Sequence, residues 1–385
     1  MDVRVNEDLT LKLLRDLVAI NSINPSLVPG GAGEKAMALY IAAYLSSLGL
    51  DVREQEAAPG RPNVIGILKG KGGGKSLALN GHMDTVSVEG METPFQLRID
   101  GGKAYGRGAF DMKGSLAAML SATEALVTND VLLRGDLIVT AVVDEEYASI
   151  GTDALVKEYH PDAAIVTEPT GLTIVTAHKG FVWIEVETVG KAAHGSRPMD
   201  GIDAIMKMGL FLTELDKLEQ ALRQGRSHPL VGTASLHASL IDGGRELSSY
   251  PDRCRLQIER RTIPGEKVEE TVREIEAIIH YLSLHDSTFQ ASSRAFFLRS
   301  PFEVPKDETI VQSLHKQVKA ITGSPPIYTG QSFWADSAIF SDAGIPTVMF
   351  GPGGAGAHSL TEYIEIDQLM TCTQILIETI KDFCG

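Results

Sequence analysis

Acidic residues and histidines stand at the ends of several short apolar runs or in the loops that follow them. They are His82 and Asp84, Asp111, Glu145 and Glu146, Glu168, and His358. Apolar runs such as 137–143 are typical of buried β-strands. Because open α/β sheets place their active sites at the carboxyl ends of their strands, we expect these side chains to meet at one edge of a sheet.

The chemistry that these residue types favour is metal binding. Imidazole and carboxylate groups without a thiolate suit divalent cations such as a pair of Zn²⁺ ions, with Co²⁺ or Mn²⁺ as alternatives. Asp84 follows His82 by two residues, and extended residues at that spacing share a face, so Asp84 can orient the ring of a metal-binding His82. The three carboxylates at 144–146 repel one another unless cations or water screen them. With divalent ions nearby, one of these glutamates can bind metal while its neighbour acts as a general base.

Each of these residues also has a simpler interpretation. A lone histidine after a strand is usually a surface or hydrogen-bonded residue, and Asp111 is suited to cap the alanine-rich helix that follows it. Residues 144–146 could form an exposed acidic loop, Glu168 a turn carboxylate and His358 a loop histidine. The donor set as a whole favours a metal centre, whereas no single member does.

The segments that must position these residues alternate between helix-like and strand-like patterns. Helical periodicity covers 7–22 and 34–48. Short β-like runs occupy 63–68, 76–80, 137–143, 163–167 and 346–350. This order predicts an α/β domain with a mostly parallel sheet that is covered on both faces. The glycine-rich GKGGGK between the first two runs is interpreted as a hairpin turn, because Lys69 occupies the first glycine of the phosphate-loop pattern.

The middle of the chain follows a different order of elements. The pattern predicts a strand at 181–189, a helix near 201–222, strands at 232–241 and 253–261, a helix at 266–282 and a strand at 287–297. This β-α-β-β-α-β order is that of a ferredoxin-like α+β unit. We therefore expect a catalytic domain in two parts, 1–177 and 296–385, with an inserted domain at 178–295.

Composition and charge exclude several classes of function. The chain has 385 residues, which suggests two domains with separate cores. Asp and Glu outnumber Lys and Arg by 50 to 35, and the resulting charge of −15 argues against binding to nucleic acid or anionic lipid. No apolar stretch is long enough to span a membrane and the N-terminal residues lack a signal core, so a cytoplasmic location is expected. The three scattered cysteines, Cys254, Cys372 and Cys384, disfavour a disulfide framework.

Six motifs, in order along the chain, carry a resemblance to a known family. They are GHMDTV, GRGAFDMKG, VVDEEYASIGTD, TEPTG, KAAHGSRP and GPGGAGAHSLTEYI. Together they resemble the acetylornithine deacetylase / succinyl-diaminopimelate desuccinylase family, whose superfamily includes carboxypeptidases, aminoacylases and dipeptidases with two zinc ions. The resemblance covers nearly the whole chain, and it implies that the inserted segment is a lid and dimerisation domain.

The resemblance also implies a role for each candidate residue. One metal ion would be bound by His82, Asp111 and Glu168, and Asp111 would bridge to a second ion. Glu146 and His358 would complete the ligands of that second ion. Asp84 matches the residue behind the histidine ligand, and Glu145 matches the general base, so these two are the expected catalytic residues together with a lid histidine.

Two further roles fall on the inserted segment. His194 matches the lid histidine that reaches the substrate, in many family members from the partner subunit, and this implies a homodimer. Arg261 matches a lid arginine that holds a substrate carboxylate, which a planar guanidinium suits better than a lysine does; the alternative is a surface salt bridge. The chain departs from the family at Ser248, where many members have Asn, and nearby Arg245 could supply a different anionic contact.

The function implied is hydrolysis of the amide bond of an N-acyl amino acid or short peptide by a metal-dependent enzyme. A carboxypeptidase or dipeptidase of the same family is the alternative. A dipeptidase would require a site for the free α-amine of its substrate. A non-catalytic binding subunit is a third possibility. It is disfavoured because neither a metal ligand nor the base is missing from the set.

Overall fold

The computed structural model describes residues 3–385, and the chain forms two compact units. The first unit contains the described residues up to 176 together with 304–329 and 335–385. The second, which we call the inserted unit, contains residues 177–303 and 330–334. Residues 296–303 and 330–334, which the sequence analysis placed in the catalytic domain, thus group with the inserted unit.

Helices and short strands alternate along the described residues. The helices are α1 (Glu7–Ala19), α2 (Lys35–Ser47), α3 (Lys113–Thr128), α4 (Ile150–Leu155), α5 (Ala204–Gln224), α6 (Val268–His285), α7 (Thr309–Thr322), α8 (Ser337–Asp342) and α9 (Ile366–Cys384). The strands are β1 (Asp51–Ala58), β2 (Arg61–Leu68), β3 (Leu77–His82), β4 (Arg98–Asp100), β5 (Lys103–Tyr105), β6 (Leu137–Val142), β7 (Ala163–Val166), β8 (Ile174–His178), β9 (Gly180–Val189), β10 (Ser227–His228), β11 (Gly232–Thr233), β12 (Ser235–Gly243), β13 (Arg253–Thr262), β14 (Gln290–Arg299), β15 (Phe302–Glu303), β16 (Tyr328–Gln331), β17 (Thr347–Met349), β18 (Gly354–Ala355) and β19 (Tyr363–Glu365).

The main sheet of the first unit is mixed rather than mostly parallel. Its strands lie in the order β1-β2-β6-β3-β7-β17-β8. The four central strands, β6, β3, β7 and β17, are parallel neighbours, whereas β1, β2 and β8 pair in antiparallel fashion. The α/β class is confirmed, and the mostly parallel prediction was wrong because both sides of the parallel centre carry antiparallel strands.

The predicted hairpin between the runs at 63–68 and 76–80 is also wrong. Strand β6 lies between β2 and β3, antiparallel to the first and parallel to the second. The hairpin of this region instead joins β1 to β2, around Gly60 at a φ of +73°. The pattern did not indicate β1, because DVREQEAA is polar and only partly covered, as an outer strand can be.

Burial of the central strands fixes which residues reach the sheet edge. Every residue of β3 and of β6 is buried, so both faces of these strands are covered, as predicted. One face packs Ile138, Val142 and Ala78 against Leu155 of α4 and Phe340 of α8. A second, small sheet of order β18-β19-β5-β4 also belongs to the first unit.

Apart from the two-residue strands β10 and β11, which pair with each other, and β15, the main elements of the inserted unit follow the order β9-α5-β12-β13-α6-β14, which is the β-α-β-β-α-β order expected from the sequence. Its sheet is antiparallel with the order β12-β13-β9-β14, and Val182, Ile184 and Val186 pack in one core with Met208 and Phe211 of α5. Strand β14 pairs with β9 up to Arg299, which explains why the unit extends past residue 295.

The three cysteines are free thiols, and all are buried. Among residues 3–385, none of the helices combines the length and the apolar character that crossing a membrane requires.

Candidate functional site

The candidate site lies where three parallel strands of the first unit end. Strand β3 ends at His82, β6 is followed by the acidic stretch 144–146, and β7 is followed by Glu168. Because β6, β3 and β7 are adjacent and parallel, their carboxyl ends meet at one edge. His82 is only 1% and Glu168 5% exposed, whereas Glu145 and Glu146 are half-buried.

Asp111 lies between the two histidines. Its Oδ1 is 3.1 Å from Nε2 of His82, and its Oδ2 is 3.5 Å from Nε2 of His358. On the first side, Oε1 of Glu168 is 3.8 Å from the same His82 nitrogen. On the second side, Oε2 of Glu146 is 2.9 Å from the His358 nitrogen. The two oxygens of Asp111 therefore face different histidines.

The residues fit divalent cations on two observations. In two groups of three residues, each residue offers one ligand atom, and the three atoms of a group lie within 4.8 Å of one another. The groups are His82, Asp111 and Glu146, and His82, Glu145 and Glu168. Within residues 3–385, which the structure describes, Oε1 of Glu146 is buried and has no hydrogen-bond partner. A buried carboxylate oxygen without a donor is costly, and a bound cation would satisfy it.

The electrostatics of the carboxylates also favour a positive charge at this place. Burial, followed by the charge of Asp111, raises the pKa of Glu146 to about 7. Burial, together with neighbouring carboxylates, raises the pKa of Glu168 to about 8. The pKa of Glu145 is raised well above its usual value by burial and then by the charge of Glu168. These groups hold protons near neutral pH that divalent cations would displace.

The histidines respond to the same carboxylates. Hydrogen bonds to Asp111 and Glu146 raise the pKa of His358 to about 10. Burial opposes the charging of His82 most strongly, yet the hydrogen bond to Asp111 and the nearby carboxylates raise its pKa well above the usual value. The same imidazoles, through hydrogen bonds that outweigh burial, lower the pKa of Asp111.

Asp84 supports the site in a way that differs from the prediction. Nδ1 of His82 is 2.9 Å from the main-chain oxygen of Asp84 and 3.7 Å from its carboxylate, so the main chain is the nearer partner of the ring. The carboxylate instead accepts hydrogen bonds from the backbone N–H groups of Glu145 at 3.2 Å and Glu146 at 3.1 Å. Asp84 thus holds the segment that carries two of the candidate glutamates.

A buried polar network behind the acidic stretch was missed by the sequence analysis. The side-chain amide of Asn24 donates to Asp84 at 2.7 Å and to Asp144 at 3.1 Å. Asp144 also pairs with Arg61 at 2.8 Å, and Arg61 forms a second ion pair with Glu34. The only sequence signal was the place of Asp144 in the acidic stretch, since Asn24 and Arg61 stand in segments without a motif.

A second missed pair is Arg107 and Glu362, which are 3% and 2% exposed. Their side chains form an ion pair of 2.6 Å. Both residues fall inside motifs that the sequence analysis quoted, GRGAFDMKG and GPGGAGAHSLTEYI, but only Asp111 and His358 of those motifs were considered.

The structure brings seven of the nine candidate residues together, and the other two belong to the inserted unit. His194 lies on an exposed segment of that unit, and its Nδ1 is 2.8 Å from the hydroxyl of Ser196. The next residue, Gly195, donates its N–H to the main-chain oxygen of Ser248 at 2.7 Å. Ser248, the departure from the family pattern, therefore holds the backbone beside His194.

The two arginines of interest in the inserted unit are already paired. Nε of Arg261 is 2.6 Å from Oε1 of Glu259, its guanidinium lies 5.2 Å from the ring centre of Phe181, and 30% of its side chain is exposed. Arg245 pairs with Asp252 at 2.9 Å on the surface. Each arginine thus has a local carboxylate partner, and the side chain of Arg245 is the more exposed of the two, at 80%.

This chain is similar to known proteins over most of its length. The family model described as Peptidase family M20/M25/M40 matches residues 78–382. An N-formyl-4-amino-5-aminomethyl-2-methylpyrimidine deformylase of Bacillus subtilis (strain 168) is 32% identical over 390 residues, covering 93% of this chain and 91% of that protein. An acetylornithine deacetylase of Myxococcus xanthus is 31% identical over 360 residues, covering 90% of this chain and 91% of that protein.

Among solved structures, the fold is similar to that of the aminopeptidase PepT from Bacillus cereus ATCC 10987. The TM-score is 0.82 over 99% of this chain and 100% of that chain, with 19% sequence identity. At this identity the likeness bears on the fold alone.

Proposed function

Because the chain belongs to peptidase family M20/M25/M40 and is therefore a hydrolase, we propose that it removes an acyl group from a small N-acylated substrate, such as an N-acyl amino acid or a short peptide. The observation that carries the proposal is Asp111, whose two carboxylate oxygens face His82 on one side and His358 on the other. A carboxylate in this position is suited to bridge two cations.

Two divalent ions, Zn²⁺ or alternatively Co²⁺ or Mn²⁺, are the proposed cofactors. The residues that would hold them are His82, Asp111 and Glu168 for one ion, and Asp111, Glu146 and His358 for the other, as the distances among these side chains allow. Bound there, such ions would supply Lewis acidity for the substrate carbonyl and would lower the pKa of a water between them from ~15.7 to ~7.

Glu145 is the proposed general base. It lies within 4.8 Å of the ligand atoms of His82 and Glu168, and burial followed by the charge of Glu168 raises its pKa well above the usual value. A carboxylate in that environment has a strong affinity for a proton, so it accepts one from the attacking water and delivers it to the departing amine. Asp84 positions this residue through the hydrogen bond from the Glu145 backbone N–H.

The names of the two relatives support acyl removal as the reaction. One is named a deformylase of an aminopyrimidine and the other a deacetylase of ornithine, and each name describes cleavage between an acyl group and an amine. We therefore place the substrate in the class of small N-formyl or N-acetyl amines, with N-acyl amino acids as the first candidates.

A hydrolysis screen with metal-reconstituted protein tests this assignment. The panel contains N-formyl and N-acetyl amino acids, the N-formylated aminomethylpyrimidine, and unblocked dipeptides. We expect the N-acylated compounds to be hydrolysed and the unblocked dipeptides to be poor substrates. Preference for unblocked dipeptides would instead establish a dipeptidase, and absence of hydrolysis across the panel would favour a binding subunit.

The role of Glu145 has its own test. Glu145→Gln keeps the size of the side chain but removes the base, and we expect kcat to fall by ~10²–10⁴-fold with the metal content unchanged. Glu158→Gln, on the exposed surface, is the matched control. Turnover of Glu145→Gln within tenfold of wild type would show that the proton passes through another group.

A homodimer formed through the inserted unit is the proposed assembly. Strand β12 stands at the outer position of its sheet, and Leu240 and Ile241 on it are 66% and 58% exposed. On α5, Met206 is 68% exposed. An open strand edge with apolar side chains is suited to pair with a second copy. In that dimer we propose that His194 of one protomer contacts the substrate bound by its partner, while Arg261 holds a substrate carboxylate.

Sedimentation velocity tests this assembly. We expect wild type to sediment as a dimer, and Ile241→Asp to shift it toward the monomer with a loss of activity. A fully active monomer would refute the role of His194 across the dimer.

A further inference from the structure

Arg107 and Glu362 form a buried connection between the two loops that carry Asp111 and His358. Glu362 stands four residues after His358, and Arg107 stands four residues before Asp111. Neither is a candidate metal ligand, because the Glu362 carboxylate is already occupied by donors of the protein. The question is what this pair contributes to the site beside it.

The carboxylate of Glu362 accepts four hydrogen bonds from the loop before α3. Its Oε2 accepts from Arg107 at 2.6 Å and from the backbone N–H of Gly108 at 3.0 Å. Its Oε1 accepts from the backbone N–H groups of Phe110 and Asp111, each at 3.0 Å. The backbone of the residue that bridges the two proposed ions is thus held directly by Glu362.

The guanidinium of Arg107 connects the same loop to two others. Nη2 donates to the main-chain oxygen of Ser359 at 3.0 Å, and Ser359 is the residue after His358. Nε donates to the main-chain oxygen of Ser87 at 3.1 Å, in the segment that follows β3. Arg107 therefore holds the His358 loop in place relative to the loop of Asp111.

The backbone of both loops is unusual at one position each. Gly108 adopts a φ of +77°, and a Cβ there would come within 2.8 Å of Lys113 and 2.9 Å of Thr85, so the residue that donates its N–H to Glu362 is tightly packed against these two side chains. His358 itself has a φ of +60°, a conformation that residues other than glycine adopt only when neighbouring contacts hold them. No contact within its own strand or helix fixes His358, because it lies outside both.

We propose that Arg107 and Glu362 are positioning residues that set the affinity for the ion held by Asp111, Glu146 and His358. This inference rests on the proposed two-metal function. The pair fixes the separation between Asp111 and His358, whereas His82 and Glu168 take their positions from the ends of β3 and β7 and do not depend on it. Residues that support metal ligands from behind typically change metal affinity by about 10- to 100-fold.

The test is metal binding by the full-length chain, measured with Zn²⁺ added to metal-free protein in competition with a chromophoric chelator. In Glu362→Gln, an amide N–H₂ replaces one of the two oxygens that accept hydrogen bonds from the Asp111 loop. Arg107→Lys keeps the positive charge but loses the hydrogen bonds to the main-chain oxygens of Ser359 and Ser87. We expect each variant to bind one of the two ions about 10- to 100-fold less tightly, with the affinity for the other ion changed less than about threefold. Glu365→Gln, at the end of the strand β19 that follows Glu362, is the matched control and should bind both ions as wild type does.

The outcomes separate this inference from the proposed function. Wild-type protein that binds no Zn²⁺ would remove the two-metal premise. Wild type with two ions and variants that bind both ions normally would overturn the positioning role. Equal weakening of both ions together with a lower melting temperature of the metal-free variants would show a merely structural role, and this too would overturn it. If Glu362→Gln does not fold, the result for Arg107→Lys decides.

Discussion

The candidate site has two sides that are built in different ways. On the strand-end side, His82 and Glu168 come directly after strands of the parallel centre and are almost completely buried. On the loop side, Asp111 and His358 lie outside the strands, and the His358 side chain is 55% exposed. Residues at strand ends are positioned by the backbone hydrogen bonds of the sheet. Residues in loops are positioned only if other contacts hold their backbone.

Each side has a separate buried support. Asn24 and Asp84 support the acidic stretch that follows β6. The side-chain amide of Asn24 donates to Asp84, and the carboxylate of Asp84 accepts hydrogen bonds from the backbone N–H groups of Glu145 and Glu146. Arg107 and Glu362 brace the loops of Asp111 and His358. The strand ends of the first side are set by the pairing of the sheet, whereas the positions of Asp111 and His358 depend on a few specific polar contacts.

Asp111 lies on the loop side but is the proposed ligand of both ions, so its loss should have the largest effect. Asp111→Asn keeps the shape but removes the charge that faces both histidines. Because metal-assisted stabilisation of the transition state is worth several kcal/mol, we expect kcat to fall by at least ~10³-fold and both ions to bind more weakly. Steady-state kinetics and metal analysis after dialysis measure this. Asp100→Asn, on an exposed strand, is the control; two retained ions and activity within tenfold would contradict the bridging role.

Removal of metal should proceed in two stages. The loop side is open to solvent at His358, whereas the ligands of the strand-end side are buried, so a chelator should reach the loop-side ion first. Stopped-flow mixing of the two-metal protein with a chromophoric chelator should show a fast and a slow phase of equal amplitude. His358→Ala should abolish the fast phase. Simultaneous release of both ions, or a fast phase that survives in His358→Ala, would show that the sides are not distinct.

The support of the strand-end side should matter for stability. Asn24→Ala removes the donor that Asp84 and Asp144 share, and buried acceptors that lose a donor typically cost about 1–3 kcal/mol. We expect this reduction in the free energy of unfolding of the metal-free protein, measured with urea. Asn21→Ala, at an exposed position of the same segment, should change it by less than about 0.5 kcal/mol. Equal effects of the two substitutions would deny the network a stabilising role.

The buried carboxylates should make the metal-free protein sensitive to pH. The pKa of Glu146 is raised to about 7 and that of Glu168 to about 8, chiefly by burial. A carboxyl with a raised pKa stabilises the folded state at low pH, and this stability is lost as pH rises through the raised value. We expect the melting temperature of the metal-free protein to fall between about pH 5 and about pH 8, and the Zn²⁺-loaded protein to show little of this dependence. A melting temperature that rises with pH in the metal-free protein would contradict the account.

The strand-end side is also the part of the site that the sequence predicts best. Apolar runs indicated β3, β6 and β7, and the rule that parallel strands meet at their carboxyl ends was enough to bring His82, Glu145 and Glu168 together. The ferredoxin-like order of the inserted unit followed from alternating periodicities in the same way. These features depend on local patterns that a single sequence records.

Other features depend on contacts between distant segments, which local patterns do not record. Strand β1 is polar, and its place beside β2 is decided by pairing, so it was missed and the hairpin was placed at the wrong turn. Asn24 reaches Asp84 over 60 positions, and Arg107 reaches Glu362 over 255. Neither of these contacts has a sequence signal beyond the residue type, although the second pair lies inside two of the quoted motifs.

The most direct test of the two-sided site is the rate of amide hydrolysis as metal ions are returned to the metal-free protein. Zn²⁺ is added in equivalents per chain, with a saturating N-acyl substrate identified by the screen. We expect no turnover without metal and a rate that rises to a plateau at two equivalents. Undiminished turnover in the metal-free protein, or a plateau already reached at one equivalent, would contradict it.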